Sequence, residues 1–176
     1  GELAISKNTT VFVTEDITVG TGSRLTALNG TGDTAGTLRL GGNANATFAM
    51  NDSDNFAGRV IIGAGTATVN TNAAFGLIAF NDDQGGTLNI ADGKILTVGT
   101  ITTDGANAVT GAGTLNLTGV GSAFKAPLSG LGTLQISGGS AEFYNDIHIK
   151  KLAFNNGGEV KLGKGMTMTV TDMTQS

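Results

Sequence analysis

The chain has 176 residues, with 29 Gly, one Pro and no Cys, and its formal net charge is −4. This composition excludes disulfide bonds and thiol chemistry, and the negative charge argues against nucleic acid as a partner because phosphate groups would repel it. The sequence contains no apolar run of about 18 residues, so it predicts no membrane-spanning helix. Gly, Thr and Asn are poor helix formers, yet 39% of the residues are hydrophobic, so the sequence predicts a folded all-β protein.

Apolar residues alternate with polar ones along most of the chain, and this period of two predicts short strands. The first three strands lie around the pairs Leu3/Ile5, Val11/Val13 and Ile17/Val19, and further strands are predicted at 37–40, 46–50, 59–62, 66–69, 87–90, 94–98 and 114–118. The apolar run Ala73–Phe80 lacks the alternation. It could be a strand that is buried on both sides or a short helical lid.

A short phrase, Gly-Thr-Leu-x-(Leu/Ile), recurs along the chain. It occupies residues 36–40, 86–90, 113–117 and 132–136, with a degenerate copy at 158–162. Each copy joins a turn residue to an apolar-polar-apolar strand. Repeats of about 20–27 residues are typical of solenoids, in which each coil buries its face on the next. We therefore predict a parallel β-helix, or β-solenoid, that forms a single unit over residues 1–176.

An antiparallel β-sandwich is the alternative fold, because turn signals every 8–12 residues or so also suit sandwiches. The Asn-Gly pairs at 29–30 and 156–157 are such turn signals, so the sandwich stays an alternative. If the solenoid is correct, the leucines of the phrase should be buried at corresponding positions of successive coils: Leu38, Leu88, Leu115 and Leu134. We also expect Phe56 to be buried and the Asn55 amide to bond to turn backbone.

The residue types that carry catalysis or bind metals are sparse. His148 is the only His, and its alternation with Ile147 and Ile149 predicts a solvated side chain on the outer face of a strand. Asp52 and Asp54 resemble the first ligands of a calcium loop, but the rest of that loop pattern is missing. An Asx-rich turn accounts better for them, and the pair at 82–83 is interpreted as a loop tip. We predict no catalytic residue, no metal site and no cofactor.

The stretch GTLRLGGNANATFAMNDSDNFAGRVIIGAGTATVN, residues 36–70, resembles the passenger-associated repeat of Gram-negative autotransporters, the proteins of type V secretion. The matching residues are Gly36, Thr37, Leu38, Leu40, Asn55, Phe56, Gly58, Ile62, Gly65, Thr66 and Val69. Residues 43–52 are an insertion relative to the repeat. Ala67 replaces a Leu, so that position should pack more weakly or face outward. A looser match spans 113–136, and the texture of the chain is also similar to rickettsial surface antigens.

This resemblance implies a right-handed parallel β-helix within a longer passenger domain, of which residues 1–176 would be a fragment. Such a passenger is exported through the membrane barrel domain of the same precursor, so the resemblance implies a cell-surface or secreted protein of a Gram-negative bacterium. It implies a structural or adhesive function in host-cell attachment, with a host-cell surface protein or glycan as partner. The candidate binding residues are Tyr144, Lys150 and Lys151. Tyr144 and Phe143 are adjacent in a strand, so one of them should face outward, and Tyr suits interfaces.

Polysaccharide lyases and glycosidases also use the parallel β-helix, so an enzyme is the alternative function. It would need a groove in which two carboxylates and an Arg converge, and Arg39 and Arg59 could stack on one face in adjacent coils. We do not expect an enzyme. Open coil ends are strand edges, which invite end-to-end self-association of the chain.

Overall fold

The structure is a computed structural model that describes residues 1–28, 34–48, 56–80 and 85–175. These ranges contain nineteen strands. The strands are β1 Glu2–Ile5, β2 Thr10–Val13, β3 Asp16–Val19, β4 Arg24–Ala27, β5 Thr37–Leu40, β6 Asn45–Phe48, β7 Phe56–Ile62, β8 Gly65–Val69, β9 Ala73–Phe80, β10 Gly86–Ile90, β11 Ile95–Thr103, β12 Ala108–Thr110, β13 Thr114–Leu117, β14 Ser122–Phe124, β15 Leu128–Ser137, β16 Ser140–Phe143, β17 Ile147–Asn155, β18 Glu159–Leu162 and β19 Met168–Gln175. No described helix is long and apolar enough to cross a membrane.

The strands pair in parallel with strands one coil away and stack into a β-solenoid of about 7 turns. The predicted parallel β-helix is therefore confirmed, and the antiparallel sandwich is wrong. The Asn156-Gly157 pair shows why an Asn-Gly turn signal wrongly favoured the sandwich. Both residues have positive φ, 52° and 77°, but the strands they join do not pair with each other, because β17 pairs with β15 and β19 while β18 pairs with β16. The turn is a corner of the coil, not a hairpin.

Each coil contributes to three parallel sheets. The first sheet contains the start of β7, the early parts of β9 and β11, then β13 and the late parts of β15, β17 and β19. Strands β1 and β4 pair in parallel as a separate two-stranded sheet. The second contains β2, β5, the late parts of β7, β9 and β11, then β14, β16 and β18. The third contains β3, β6, β8, β10, β12 and the early parts of β15, β17 and β19.

The leucines of the repeated phrase are all fully buried, as predicted. They do not share one position, however, and that part of the prediction is wrong. Leu38 pairs with Val60 in the second sheet, Leu88 lies in the third, and Leu115 and Leu134 pair with each other in the first. The phrase therefore marks the start of a strand after a corner on any sheet. It does not occur once per coil.

The Gly of each phrase is explained by the close approach of coils at the corners. A Cβ added at Gly36, Gly86, Gly113, Gly132 or Gly158 would overlap a backbone carbonyl of the coil beneath it. A second row, which we call the glycine ladder, stacks glycine on glycine at the corner between the first and second sheets. Its members are Gly76, Gly99, Gly119 and Gly139. A Cβ at Gly139 would lie 2.5 Å from the carbonyl oxygen of Gly119. Only Gly permits this spacing.

Asparagines and one aspartate connect the coils at other corners. The side-chain oxygens of these residues accept backbone N–H bonds from strands one coil away: Asn43 from Thr66 at 3.4 Å, Asn72 from Ile95 at 2.9 Å, Asn107 from Gly86 at 2.9 Å and Asp146 from Thr167 at 2.8 Å. Asn55 lies outside the described residues, so its predicted bond stays a prediction. The chain has many Asn and Asp residues because backbone N–H groups at the corners need hydrogen-bond acceptors.

Three local predictions within the central coils have clear outcomes. Phe56 is fully buried, as expected, and its ring packs edge-to-face on Phe75 at 6.4 Å. Ala67 is buried beside Leu88, so the expectation that it faces outward is wrong, and its short side chain takes an inward position. The run Ala73–Phe80 is strand β9 and not a helical lid. It lacks simple alternation because it bends from the first sheet into the second at Gly76.

Candidate functional site

Tyr144 follows β16 and lies on the outer surface, at 49% exposure. Its neighbour Phe143 faces inward and stacks on Phe124, with ring centroids 4.7 Å apart and planes at 11°. The prediction that the two aromatic side chains point to opposite faces is therefore confirmed. The Tyr144 hydroxyl donates a 2.6 Å hydrogen bond to Oε2 of Glu142. The alternation of side chains therefore places Tyr144 on the rod surface, and this bond orients its side chain there.

Charged side chains surround Tyr144 and form what we call the Tyr144 cleft. Lys161 Nζ lies 3.8 Å from Oε1 of Glu142 and 3.6 Å from Oε2 of Glu159. The cleft has a volume of about 230 Å³. Its lining residues are Glu142, Phe143, Tyr144, Lys161, Leu162 and Gly163. The Tyr144 ring thus lies beside one cation, Lys161, which is flanked by two carboxylates, an arrangement that suits contacts with a polar partner.

The pKa of the Tyr144 hydroxyl is raised above its ordinary value. The hydrogen bond to Glu142 is the largest cause because it holds the proton in place, and the negative charge of the same carboxylate disfavours a phenolate beside it. Partial desolvation adds to the effect. Because the folded-state pKa is the higher one, the stabilisation from this bond is present below about pH 10 and is lost as the pH rises through the folded-state pKa.

Spectrophotometric titration of tyrosinate should therefore give a midpoint above pH 10 for the folded chain. Tyr144 is the only Tyr and the chain has no Trp, so the signal has a single source. Glu142→Gln should lower the midpoint toward the ordinary value, whereas Glu15→Gln, remote from the cleft, should leave it unchanged. A midpoint that does not respond to Glu142→Gln would contradict the assigned hydrogen bond.

Lys150 and Lys151 lie in different places, although they are adjacent in sequence. Lys150 is exposed at the corner where β17 passes from the third sheet to the first. It lines a groove of about 270 Å³ together with Gly130, Leu131, His148, Ile149, Thr169 and Thr171. Lys151 is half-buried on the first sheet, between Thr133 and Asp172 of the adjacent coils. His148 is exposed between buried isoleucines, as predicted.

The three predicted binding residues therefore do not form one site. Tyr144 belongs to its cleft, Lys150 to a groove on the third sheet and its corner, and Lys151 to the first sheet. The arrangement provides two separate surface features near the last coils. A partner that contacts both must span from the second sheet across the third.

A groove on the second sheet was not predicted from the sequence. It has a volume of about 360 Å³ and is lined by Arg59, Leu77, Ala79, Phe80, Thr102, Asp104 and Lys125. Lys125 Nζ lies 3.7 Å from Oδ2 of Asp104. Lys125 lies one coil after Asp104, because its backbone N–H donates to the carbonyl oxygen of Thr103. A Lys and an Asp separated by the length of one coil are the sequence signal that could have revealed this pair. Asp104 is the one carboxylate among the described lining residues.

The predicted stacking of Arg39 and Arg59 is only partly matched. Both lie in the second sheet, but they occupy different outward columns, since Arg39 pairs with Phe12 and Ile61 while Arg59 pairs with Thr37 and Leu77. The Arg39 guanidinium lies over the Phe12 ring, 4.9 Å from its centroid. Arg59 alone reaches the second-sheet groove.

In the part of the chain that the structure describes, no group of three acidic or His side chains is arranged to hold a metal ion. The carboxylates at 52, 54, 82 and 83, which the sequence analysis interpreted as turns, lie outside the described residues.

Comparison with protein-family models, curated proteins and solved structures finds no match for the chain. The fold therefore defines the class by itself: the chain is a parallel β-solenoid with three sheets and one continuous apolar core. The likeness of residues 36–70 to autotransporter repeats remains a resemblance of sequence.

Proposed function

We propose that the chain is an extracellular structural segment of a Gram-negative autotransporter surface protein, and that it supports or mediates attachment to host cells. The observation that carries the proposal is the unbroken stack of coils. On the second sheet one outward column begins at Phe12 and Arg39 and ends at Glu142 and Lys161. At about 4.8 Å per coil, such a stack is a rod roughly 35 Å long.

Contacts between successive coils favour a stiff rod. Beside the backbone ladders, outward side chains bond from coil to coil: Asn70 to Asn45 at 2.7 Å, Asn116 to Thr97 at 3.3 Å, and Ser137 to Asn116 at 2.8 Å. Inside, the apolar residues of all three sheets form one core cluster. Because each coil packs on the next, bending would disrupt packing along the whole stack. A stiff rod can hold a contact surface at a fixed distance from its attachment point.

The contact surfaces that we assign are the Tyr144 cleft and the groove beside Lys150. The cleft combines an exposed ring with charges of both signs, and Lys150 adds a cation beside exposed His148. Such features suit a host-cell surface protein or glycan. The likeness of residues 36–70 to the autotransporter repeat is what supports proposing export through the membrane barrel domain of the same precursor and a location at the cell surface or outside the cell.

A cell-binding assay of the purified chain tests the proposal. We expect saturable binding that Tyr144→Ala weakens, and that the double change Lys150→Gln/Lys151→Gln weakens separately. The matched control is Lys7→Gln/Lys94→Gln, which removes the same charge from coils that carry neither contact surface. Circular dichroism should show unchanged strand content in every variant. Equal losses in the control would contradict the assigned surfaces, and no binding by any form would leave the rod as a spacer without adhesive activity.

A β-helix polysaccharide lyase or glycosidase is the second candidate, and one observation favours it. Arg59, Lys125 and Asp104 line the second-sheet groove, and Lys125 is paired with Asp104. Two cations could neutralise an acidic sugar, while the carboxylate could act as a general base. A screen of acidic and neutral glycans for cleavage decides between the candidates. Cleavage that Asp104→Asn abolishes would establish the enzyme, whereas absence of cleavage together with cell binding would support the adhesive rod.

A further inference from the structure

Strand β15 carries a bulge at the corner between the third and first sheets. Its pairs with β17 run from Ser129 with His148 directly to Leu131 with Ile149, so Gly130 is the extra residue of the bulge. The φ of Gly130 is 75°, in the left-handed region that Gly adopts without strain. A Cβ at Gly130 would meet nothing within 4 Å. The bulge therefore leaves open space on the outer surface, and bulges are frequent next to functional sites.

This open space belongs to the groove of about 270 Å³ beside Lys150, which we call the Lys150 groove and which Gly130 lines. His148 and Lys150 of β17 line it as well. Both are exposed while Ile147 and Ile149 are buried, because alternate side chains of a strand point to the same face. Strand β17 pairs with β15 on one side and β19 on the other, so a coil flanks both basic residues on each side.

Hydrogen-bond donors from two strands line the Lys150 groove. Lys150 offers an ammonium group with several N–H donors, and the imidazole of His148 donates an N–H in either protonation state. In β19, Thr169 pairs with His148, and the same register places Thr171 opposite Lys150. Both Thr residues are exposed and line the groove, and each adds a hydroxyl donor.

No neighbouring carboxylate neutralises Lys150 within the described part of the chain. The described lining residues of the groove include no acidic side chain, and the described ion pairs involve Lys125 and Lys161 but not Lys150. Asp146, which precedes β17, accepts a backbone N–H of the adjacent coil instead, and Asp172 belongs to the first sheet. The Lys150 groove thus combines many donors with an uncompensated positive charge, which favours an anion.

The donor set suits a tetrahedral anion better than a planar one. A carboxylate is bound best by the planar fork of Arg, whereas Lys acts as a point charge, and the described lining residues include no Arg. A sulfate ester presents oxygens in different directions, so an ammonium, an imidazole and a hydroxyl can each donate to it. The groove volume lies near the lower limit of small-molecule sites, which suits a single sugar unit.

We propose that the Lys150 groove binds the sulfate ester of a sulfated sugar, held by Lys150, by His148 and by the Thr hydroxyls of β19. The bulge at Gly130 provides the space that the sulfate group occupies. The inference deepens the attachment function proposed above. Only the statement that the sugar belongs to a host-cell glycan rests on that function.

NMR titration of the chain with glucose 6-sulfate tests the site directly, because His148 is the only His and its ring signals report on the groove. Glucuronic acid, which carries the same charge on a carboxylate, and uncharged glucose are the comparison ligands. At constant neutral pH and ionic strength, we expect saturable shifts with glucose 6-sulfate, much weaker ones with glucuronic acid and none with glucose. Equal responses to the two anions, or no response to the sulfate ester, would overturn the proposal.

Two variants separate the charge of the site from its space. Lys150→Gln should weaken binding of glucose 6-sulfate by about tenfold or more, the usual loss for a hydrogen bond to a charged group, whereas Lys7→Gln removes the same charge elsewhere and should have no effect. Gly130→Asn tolerates the left-handed backbone but fills the open space, so binding should be lost. Its control is Gly93→Asn, at another left-handed Gly whose added Cβ meets nothing within 4 Å. Circular dichroism should show an intact fold in all four, and equal losses in the controls would overturn the assigned site.

The titration and the cell-binding assay can fail independently of each other. Sulfate-ester binding that depends on Lys150, in a chain that does not attach to cells, would support the sulfate site and contradict the attachment function. Cell attachment that persists in Lys150→Gln, by a chain that does not respond to glucose 6-sulfate, would overturn this inference and leave the attachment function in place.

Discussion

Replacing Gly119 by Ala is expected to lower the free energy of unfolding by about 1–3 kcal/mol, the range for overpacking a tight site, or by more. Gly119 lies in the middle of the glycine ladder, and an added Cβ would overlap the carbonyl oxygen of Gly99 in the coil beneath. The obstructing atom belongs to the backbone, so a change of rotamer cannot relieve the overlap. The coils would have to separate at a corner where every neighbour is also packed closely.

Urea denaturation of Gly119→Ala beside Gly20→Ala measures this effect against a matched control. A Cβ at Gly20 would meet nothing within 4 Å, and its φ is outside the left-handed region. Gly20→Ala should therefore be neutral or stabilising by up to about 1 kcal/mol, because it restricts the unfolded chain. Equal destabilisation of both variants would contradict the close stacking of coils at the ladder.

Leu115→Ala should lower the free energy of unfolding by about 2–5 kcal/mol, the range for Leu truncation in a core that cannot collapse. Leu115 is fully buried, and it pairs with Leu96 on one side and Leu134 on the other. These neighbours are fixed by strand ladders in their own coils, so they cannot close the cavity that the truncation leaves.

Val120→Ala is the matched control for Leu115→Ala, because Val120 is 74% exposed. Surface changes of this kind usually stay within about 0.5 kcal/mol. Denaturant midpoints of the two variants should therefore differ clearly while the slopes stay alike. A Leu115→Ala variant as stable as Val120→Ala would contradict its position within the stacked core.

Local patterns were enough to predict many of the strands. Alternation placed β5, β8 and β10 to within a residue or two, and it correctly predicted that Phe143 and Tyr144 face opposite sides. These features depend only on neighbours in sequence. The repeated phrase was less informative, because it reports a close corner followed by a strand, and each coil has corners on more than one side.

Which residues meet across coils could not be predicted from the sequence. Coil length varies: Val60 pairs with Ile78, 18 residues later, whereas Ile78 pairs with Ile101, 23 residues later. The difference lies in turns, whose length is not encoded by the strand pattern. The second-sheet groove depends on this register, since it joins Arg59, Asp104 and Lys125 from three different coils. For the same reason Lys150 and Lys151 could not be assigned to separate surfaces.

The most direct test of the rod is a set of distances measured along it by electron spin resonance. Cysteines for spin labels are introduced at Phe12 and at one of Ala123, Glu142 or Lys161, in a chain that has no Cys of its own. These positions belong to the outward column of the second sheet, five, six and seven coils from Phe12. At about 4.8 Å per coil, we expect distances of roughly 24, 29 and 34 Å. Distances that do not increase steadily by about one coil spacing would contradict the stacked rod and the function proposed for it.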